Sequence, residues 1–321
     1  NIPTEKASFE KQEITVKGSS TIILQNVLIG EVWFGSGQSN MEMPMRGFNN
    51  APINNSEELI GTSANEHIRL FNTERDASLA QEEDVVGSWE ETNPETVRSF
   101  SAIGYLFGRK LFEELQVPIG IIESSWGGTP IECWLPESSI QNHSEIKVPD
   151  TISGDQNRQK RPTFLYNAMI HPFKNYGIKG FIWYQGEGNR KTAHFYKDYM
   201  VSLVTSWRNQ WQNKSLPFYF VEIAPFSYEN NKDTQAIKAN LVREAQSLAA
   251  NEIPNAGMVV TTDVGKCNEI HPPEKQVIAK RLANWALTKQ YGYNVIAYRS
   301  PEYKSLKIKD NKAEISFRFF W

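Results

Sequence analysis

The sequence predicts an α/β domain of three layers, with a mostly parallel β-sheet between two sets of helices. Three observations carry that prediction. Six short runs rich in β-branched and aromatic residues place apolar residues side by side instead of alternating, the pattern of strands covered on both faces. Stretches with apolar residues three and four positions apart lie between them, as amphipathic helices require. The 321 residues suffice for one large domain or two modest ones.

Taken in order, residues 10–28 read as strands with no helix between them. The run 31–35 (EVWFG) begins the central sheet and 68–71 (IRLF) continues it. Over 99–115, Phe100, Ile103, Leu106, Phe107 and Leu111 recur at helical spacing, and Ser99 is placed to cap the start. Strands follow over 117–123 (VPIGIIE) and 179–185 (KGFIWYQ). Residues 194–211 set Tyr196, Met200, Leu203, Val204 and Trp207 on one helical stripe. The strand 217–223 (PFYFVEI) precedes a helix over 234–250, whose stripe is Ile237, Leu241 and Leu248. A strand over 257–262 (GMVVTT) and a helix over 272–290 complete the alternation; Pro272 and Pro273 are acceptable in a first turn. Residues 303–318 alternate like a hairpin turning near Asp310 and Asn311. The chain closes on Phe319, Phe320 and Trp321, three aromatics that need cover, so flanking β-structure incomplete in this chain is expected. Two long polar loops, 42–66 and 136–163, are natural rims for a site.

Composition narrows the function. Apolar residues at 40% and charged residues at 22% are those of an ordinary globular protein. The net charge of −3 leaves no basic surplus to neutralise phosphates, which argues against nucleic acid as a partner. The most apolar run, TIILQNVLIG at 21–30, is short and carries Gln25 and Asn26, so no membrane span is expected. Cys133 and Cys267 permit one disulfide or two separate thiols, and neither they nor the histidines have metal-ligand spacing; no metal and no cofactor is expected. The first residue is Asn1, which agrees with a removed leader.

The residues able to carry chemistry lie at the carboxyl ends of predicted strands, where open parallel sheets place their sites. Ser39, in FGSGQSN, follows 31–35 through glycines that permit a tight turn; it is a nucleophile or an ordinary loop serine. Gly127 and Gly128, in ESSWGGTP, can bring bare N–H groups to an oxyanion or simply form a turn. The strand 179–185 delivers Gln185 and Glu187, an amide that can donate to an oxyanion and a carboxylate that can orient a histidine. Of five histidines, His67, His143, His171 and His194 read as structural or solvated. His271, between the last strand and the last helix, returns to the active edge with an ordinary pKa near neutrality.

Together GEVWFGSGQSNME (30–42), PIGIIESSWGGTPIECW (118–134), KGFIWYQGEGN (179–189) and IHPPEK (270–275) resemble the sialate O-acetylesterase (SASA) branch of the SGNH/GDSL hydrolases, a branch related to acetylxylan esterases. The resemblance spans roughly residues 20–290. It implies an α/β/α flavodoxin-like catalytic domain at 29–291, with β segments at 1–28 and 292–321, the latter part of an accessory β domain. Ser39 matches the nucleophile that forms an acetyl-enzyme, and His271 the general base and acid. Ser39, Gly127 or Gly128, and Gln185 would form the oxyanion hole. Glu187 is the expected acid, with Glu269 and Asp263 as alternatives and a Ser-His dyad as another. Asn40 and Trp126 would meet the sugar. The expected substrate is a 9-O-acetylated sialic acid, the alternative acetylated xylan, and the site of action outside the cytoplasm. A carbohydrate-binding module without catalysis is the reading from another class; it needs neither Ser39 nor His271.

Overall fold

The computed structural model describes residues 6–152, 154, 156–228, 234–294 and 297–320. Its elements in chain order are β1 (Ser8–Lys17), β2 (Thr21–Ile29), β3 (Glu31–Gly37), α1 (Ser39–Glu42), α2 (Ser56–Gly61), β4 (Asn65–Asn72), β5 (Trp89–Thr92), α3 (Pro94–Ser99), α4 (Ala102–Leu115), β6 (Ile119–Ser125), α5 (Glu137–Ile140), β7 (Gly180–Tyr184), α6 (Tyr196–Gln210), β8 (Phe218–Val221), α7 (Thr234–Glu252), β9 (Ala256–Val259), α8 (Lys275–Tyr291), β10 (Arg299–Lys309) and β11 (Lys312–Phe320). Seven strands form the central sheet in the order β5-β4-β6-β3-β7-β8-β9, with only β5 antiparallel at one edge. All six strands expected for this sheet are present.

The unbroken apolar runs have a direct cause. Consecutive strand residues point to opposite faces, and here both faces are covered. Trp33 packs with Tyr105, Phe107 and Leu282 from α4 and α8, while its neighbour Phe34 joins Met200, Leu203 and Trp207 from α6 on the other side. Ile182 and Trp183 divide the same way on β7. Trp33, Phe34 and Trp183 are fully buried.

Three helical expectations are revised. The helix expected over 99–115 is α4, which starts three residues later at Ala102 behind the cap Ser101, whose hydroxyl accepts from the Gly104 N–H at 3.0 Å; a separate α3, opened by Pro94 and an Asn93 capping box, ends at Ser99, and extended Phe100 divides the two. Ser99 is therefore the last residue of α3 and not a cap. In α7 the stripe Ile237, Leu241 and Leu248 faces solvent; the buried face is Ala239, Val242, Ala245, Gln246 and Ala249. Small side chains let this helix approach closely, and the Gln246 amide takes part in the packing by bonding the backbone of Gln185, Val221 and Ile223. The last helix starts at Lys275, after both prolines.

The ends form two separate antiparallel hairpins, β1-β2 and β10-β11. The second turns at Asp310 and Asn311 with φ of 50° and 59°, the left-handed pair that a two-residue hairpin loop needs. Of the closing aromatics, Phe320 packs on Tyr298, Phe319 is 57% exposed, and Trp321 lies outside the described residues. The loop 42–66 contains α2 and the loop 136–163 contains α5; positions 153 and 155 of the latter are also outside the described residues. Cys133 is buried, Cys267 is exposed, and both are free thiols. Among the described residues no helix is long and apolar enough to cross a membrane, and no His, Cys, Asp and Glu group could hold a metal ion.

Candidate active site

The site is assembled at the carboxyl edge of β3, β6 and β7, three adjacent strands in parallel register. Gly37 ends β3 between Ser125 of β6 and Tyr184 of β7. Its φ is +144°, and a Cβ there would stand 2.3 Å from the Tyr184 carbonyl oxygen, so only glycine lets the chain leave the sheet at this point. The Gln38 N–H then donates to the Tyr184 carbonyl at 3.0 Å, and the single turn of α1 begins with Ser39.

His271, from the segment between β9 and α8, brings its Nε2 to 2.9 Å from Ser39 Oγ. The two residues are 232 positions apart in the chain. Burial, and then the Lys275 charge, push the imidazole down to about 4, so at neutral pH it is uncharged and can accept the serine proton. The Phe48 ring meets the imidazole edge-on at 5.1 Å.

Gly127 lies against Ser39: a Cβ on it would be 3.3 Å from Ser39 Cβ and 2.9 Å from Glu42 Oε2. Its N–H donates to that Glu42 carboxylate, which also pairs with Arg75. Gly128 is exposed, with φ of +72°. The Ser39 N–H donates to no acceptor among the described residues, leaving it available at the head of α1.

Gln185 is not placed as the sequence suggested. It is fully buried, its amide hydrogens bond the Thr129 carbonyl (3.1 Å) and Asn189 Oδ1 (2.7 Å), and its Oε1 accepts from Tyr196. With both hydrogens engaged it braces the loop after β7 and offers nothing to an oxyanion. Glu187 likewise does not meet the imidazole. Its Oε1 accepts from Asn40 Nδ2 at 2.8 Å, and Oε2 is buried without a partner among the described residues. Burial raises this carboxyl, opposed by the Asn40 bond and the Lys275 charge. Of the alternatives, Glu269 faces Lys266 at 3.4 Å, and Asp263 holds Arg281 through both oxygens at 2.8 and 2.6 Å. Among the described residues, therefore, no carboxylate hydrogen-bonds His271. Asn40, expected on the sugar, is 1% exposed with its amide fully engaged. Trp126 is half-buried at the rim beside Gly127.

Four residues without a sequence-derived role converge here: Glu42, Arg75, Glu123 and Lys275. Glu42, Thr73, Glu74, Arg75, Glu123 and Ser125 line a cavity of about 400 Å³ next to the turn bearing Ser39. Burial pushes Glu123 up to about 8 despite the bond from Ser125. Lys275 and Glu42 stand inside the quoted IHPPEK and GSGQSNME blocks, but a lysine buried in a helix start has no periodicity to betray it. The other histidines are engaged elsewhere, His143 with Ser202 at 2.8 Å, His171 with Lys174 at 3.0 Å, and His67 and His194 against aromatic rings.

The model of the family described as carbohydrate esterase, sialic acid-specific acetylesterase, matches residues 30–288. Human sialate O-acetylesterase is 30% identical over 335 residues, covering 96% of this chain and 62% of that protein. The rat sialate O-acetylesterase is 29% identical over 337 residues, with 90% and 61% covered. The chain thus spans about three fifths of the length of these curated relatives. The crystal structure of a carbohydrate acetylesterase from Xanthomonas citri superimposes with a TM-score of 0.86 at 30% identity, over 99% of this chain and 69% of that one.

Proposed function

Because the chain belongs to the sialic acid-specific acetylesterase family of carbohydrate esterases, we propose that it is a serine esterase removing O-acetyl groups from sugars, with Ser39 as nucleophile and His271 as general base and acid. The observation that carries this is the 2.9 Å approach of His271 Nε2 to Ser39 Oγ at the strand edge. His271 takes the serine proton as Oγ bonds the acetyl carbon, and the negative charge on the carbonyl oxygen meets the free Ser39 N–H and the nearby Gly127 N–H, for which Glu42 is the competing acceptor. The imidazolium gives its proton to the sugar oxygen as the ester bond breaks. Water, activated by the same imidazole, then releases acetate and restores Ser39.

Residues 29–291 are the proposed catalytic unit, flanked by the two hairpin segments. A 9-O-acetylated sialic acid is the preferred substrate, in line with relatives named sialate O-acetylesterase, a name that gives no position for the acetyl group; acetylated xylan is the second candidate. A place of action outside the cytoplasm completes the proposal. The test is hydrolysis of p-nitrophenyl acetate, 9-O-acetyl sialic acid and acetylated xylan by wild type and Ser39→Ala. Wild type is expected to release acetate at least about 10³-fold faster than the variant. Equal rates would remove the serine mechanism, and preference for xylan would move the substrate.

A further inference from the structure

One buried network links four parts of the site and has so far no role in the chemistry. Asn40, next to the nucleophile, donates through Nδ2 to Glu187 Oε1 (2.8 Å) and to the carbonyl of Ile270 (3.0 Å), the residue before His271. Its Oδ1 accepts from Lys275 Nζ at 2.7 Å. One amide thus joins the turn bearing Ser39, the loop bearing His271, the loop after β7 and the first residue of α8. No other side chain of this size donates twice and accepts once in one plane: Asp lacks the donors and Leu lacks both functions.

Lys275 is the unusual member. It is fully buried, its ammonium lies 5.3 Å from the centre of the Tyr184 ring, and the carboxylate nearest to it in the network, Glu187, is reached through Asn40. Burying an ammonium carries a cost that an apolar residue of similar length would not incur, and burial pulls Lys275 down to about 7 against the opposing Glu187 charge, so its charge is complete on the acid side of neutrality. Packing alone does not account for a lysine here.

We propose that Glu187, Asn40 and Lys275 form a positioning relay that fixes Ser39 against His271 and holds a buried cation near the imidazole. The relay deepens the esterase reading and rests on it. Its members do not touch the reacting atoms. Asn40 sets the distance between the two loops, Glu187 balances the lysine, and Lys275 disfavours protonation of the imidazole before the serine gives up its proton. The other groups facing His271 are Ser39 on α1 and the uncharged Phe48 ring; on its own loop Glu269 is turned to Lys266.

The test uses the whole chain and p-nitrophenyl acetate. Lys275→Met is expected to lower kcat about tenfold or more with KM within about twofold. It should also raise the pH of the acid limb of kcat/KM, since loss of a neighbouring cation favours imidazolium. Glu187→Gln, which keeps the shape, is expected to lower kcat in the same way, and the double variant should lose less than the product of the two single losses. If Lys275→Met does not fold, Glu187→Gln alone decides. Wild-type kcat in the folded variants overturns the relay, and so does a fall in kcat with the acid limb of Lys275→Met unmoved, which marks a structural role only. Ser39→Ala separates the readings: if it keeps wild-type activity the esterase proposal itself fails, whereas an inactive Ser39→Ala beside fully active relay variants removes the relay alone.

Discussion

At the scale of the residue, burial decides the protonation states. His271 is held at about 4 chiefly by desolvation, with Lys275 adding to it, whereas an unfolded histidine titrates near 6.5. The sign follows from proton counting. Between these values the unfolded chain binds the proton and the native chain does not, so native stability falls as pH drops from about 6.5 towards 4. The proposed mechanism needs the neutral ring, so activity should persist further into acid than an exposed histidine would allow. A pH profile of kcat/KM is expected to reach half its plateau near pH 4, with the melting temperature declining below about pH 6.5; an acid limb at 6.5 would contradict the buried imidazole. Ser39 and His271 were readable as candidates because each lies in a segment aimed at the same sheet edge, and as a pair through the resemblance that carries both motifs. The engagements of Gln185 and Asn40 were not readable, since they depend on Thr129, Asn189 and Lys275, residues brought close only by the fold.

At the scale of the element, strand recognition succeeded where sequence and burial carry the same pattern. Continuous apolar runs such as EVWFG and KGFIWYQ, rich in β-branched and aromatic residues and too short for a helix, suit a covered parallel sheet, and the Asp310–Asn311 turn announces itself by residues that tolerate left-handed backbone. α7 shows the opposite case. Counting large apolar residues selects Ile237, Leu241 and Leu248, but the tight approach to the sheet selects alanines, so the packed face is the one with the smaller side chains. This is open to measurement. Leu241→Lys and Leu248→Lys should change unfolding free energy by no more than about 0.5 kcal/mol, while Ala245→Leu should cost about 1–3 kcal/mol by overpacking. Denaturant unfolding of the three variants checks the order; large losses for the lysine variants would mean that the exposed stripe is packed after all. The split between α3 and α4 escaped for a related reason: Phe100 keeps the apolar spacing while its extended backbone breaks the helix.

At the scale of the whole molecule, the central sheet positions the site and the hairpins at the two ends take no part in it. The hairpin β1-β2 reaches β5 through Lys11 and Asn26 to Glu91 and β4 through Phe9 to His67, and it meets α4 through Phe9 and Phe112. The arrangement of strands also has a consequence in time. Strand β3, near the start, lies in the middle of the sheet, and the histidine arrives only after β9, at the far edge, has been laid down. The 232-residue separation of Ser39 and His271 makes theirs among the longest loops the chain must close, and long closures come late because they sacrifice the most chain entropy. In refolding from denaturant, esterase activity should therefore return no sooner than the burial of Trp33, Trp183 and Trp207 reported by fluorescence. Activity regained ahead of that signal would show that the pair forms before the sheet is complete. A serine and a histidine so far apart in sequence would thus act as a proofreader of folding: the proposed ester hydrolysis becomes possible only when the span from β3 to the segment after β9 has found its place.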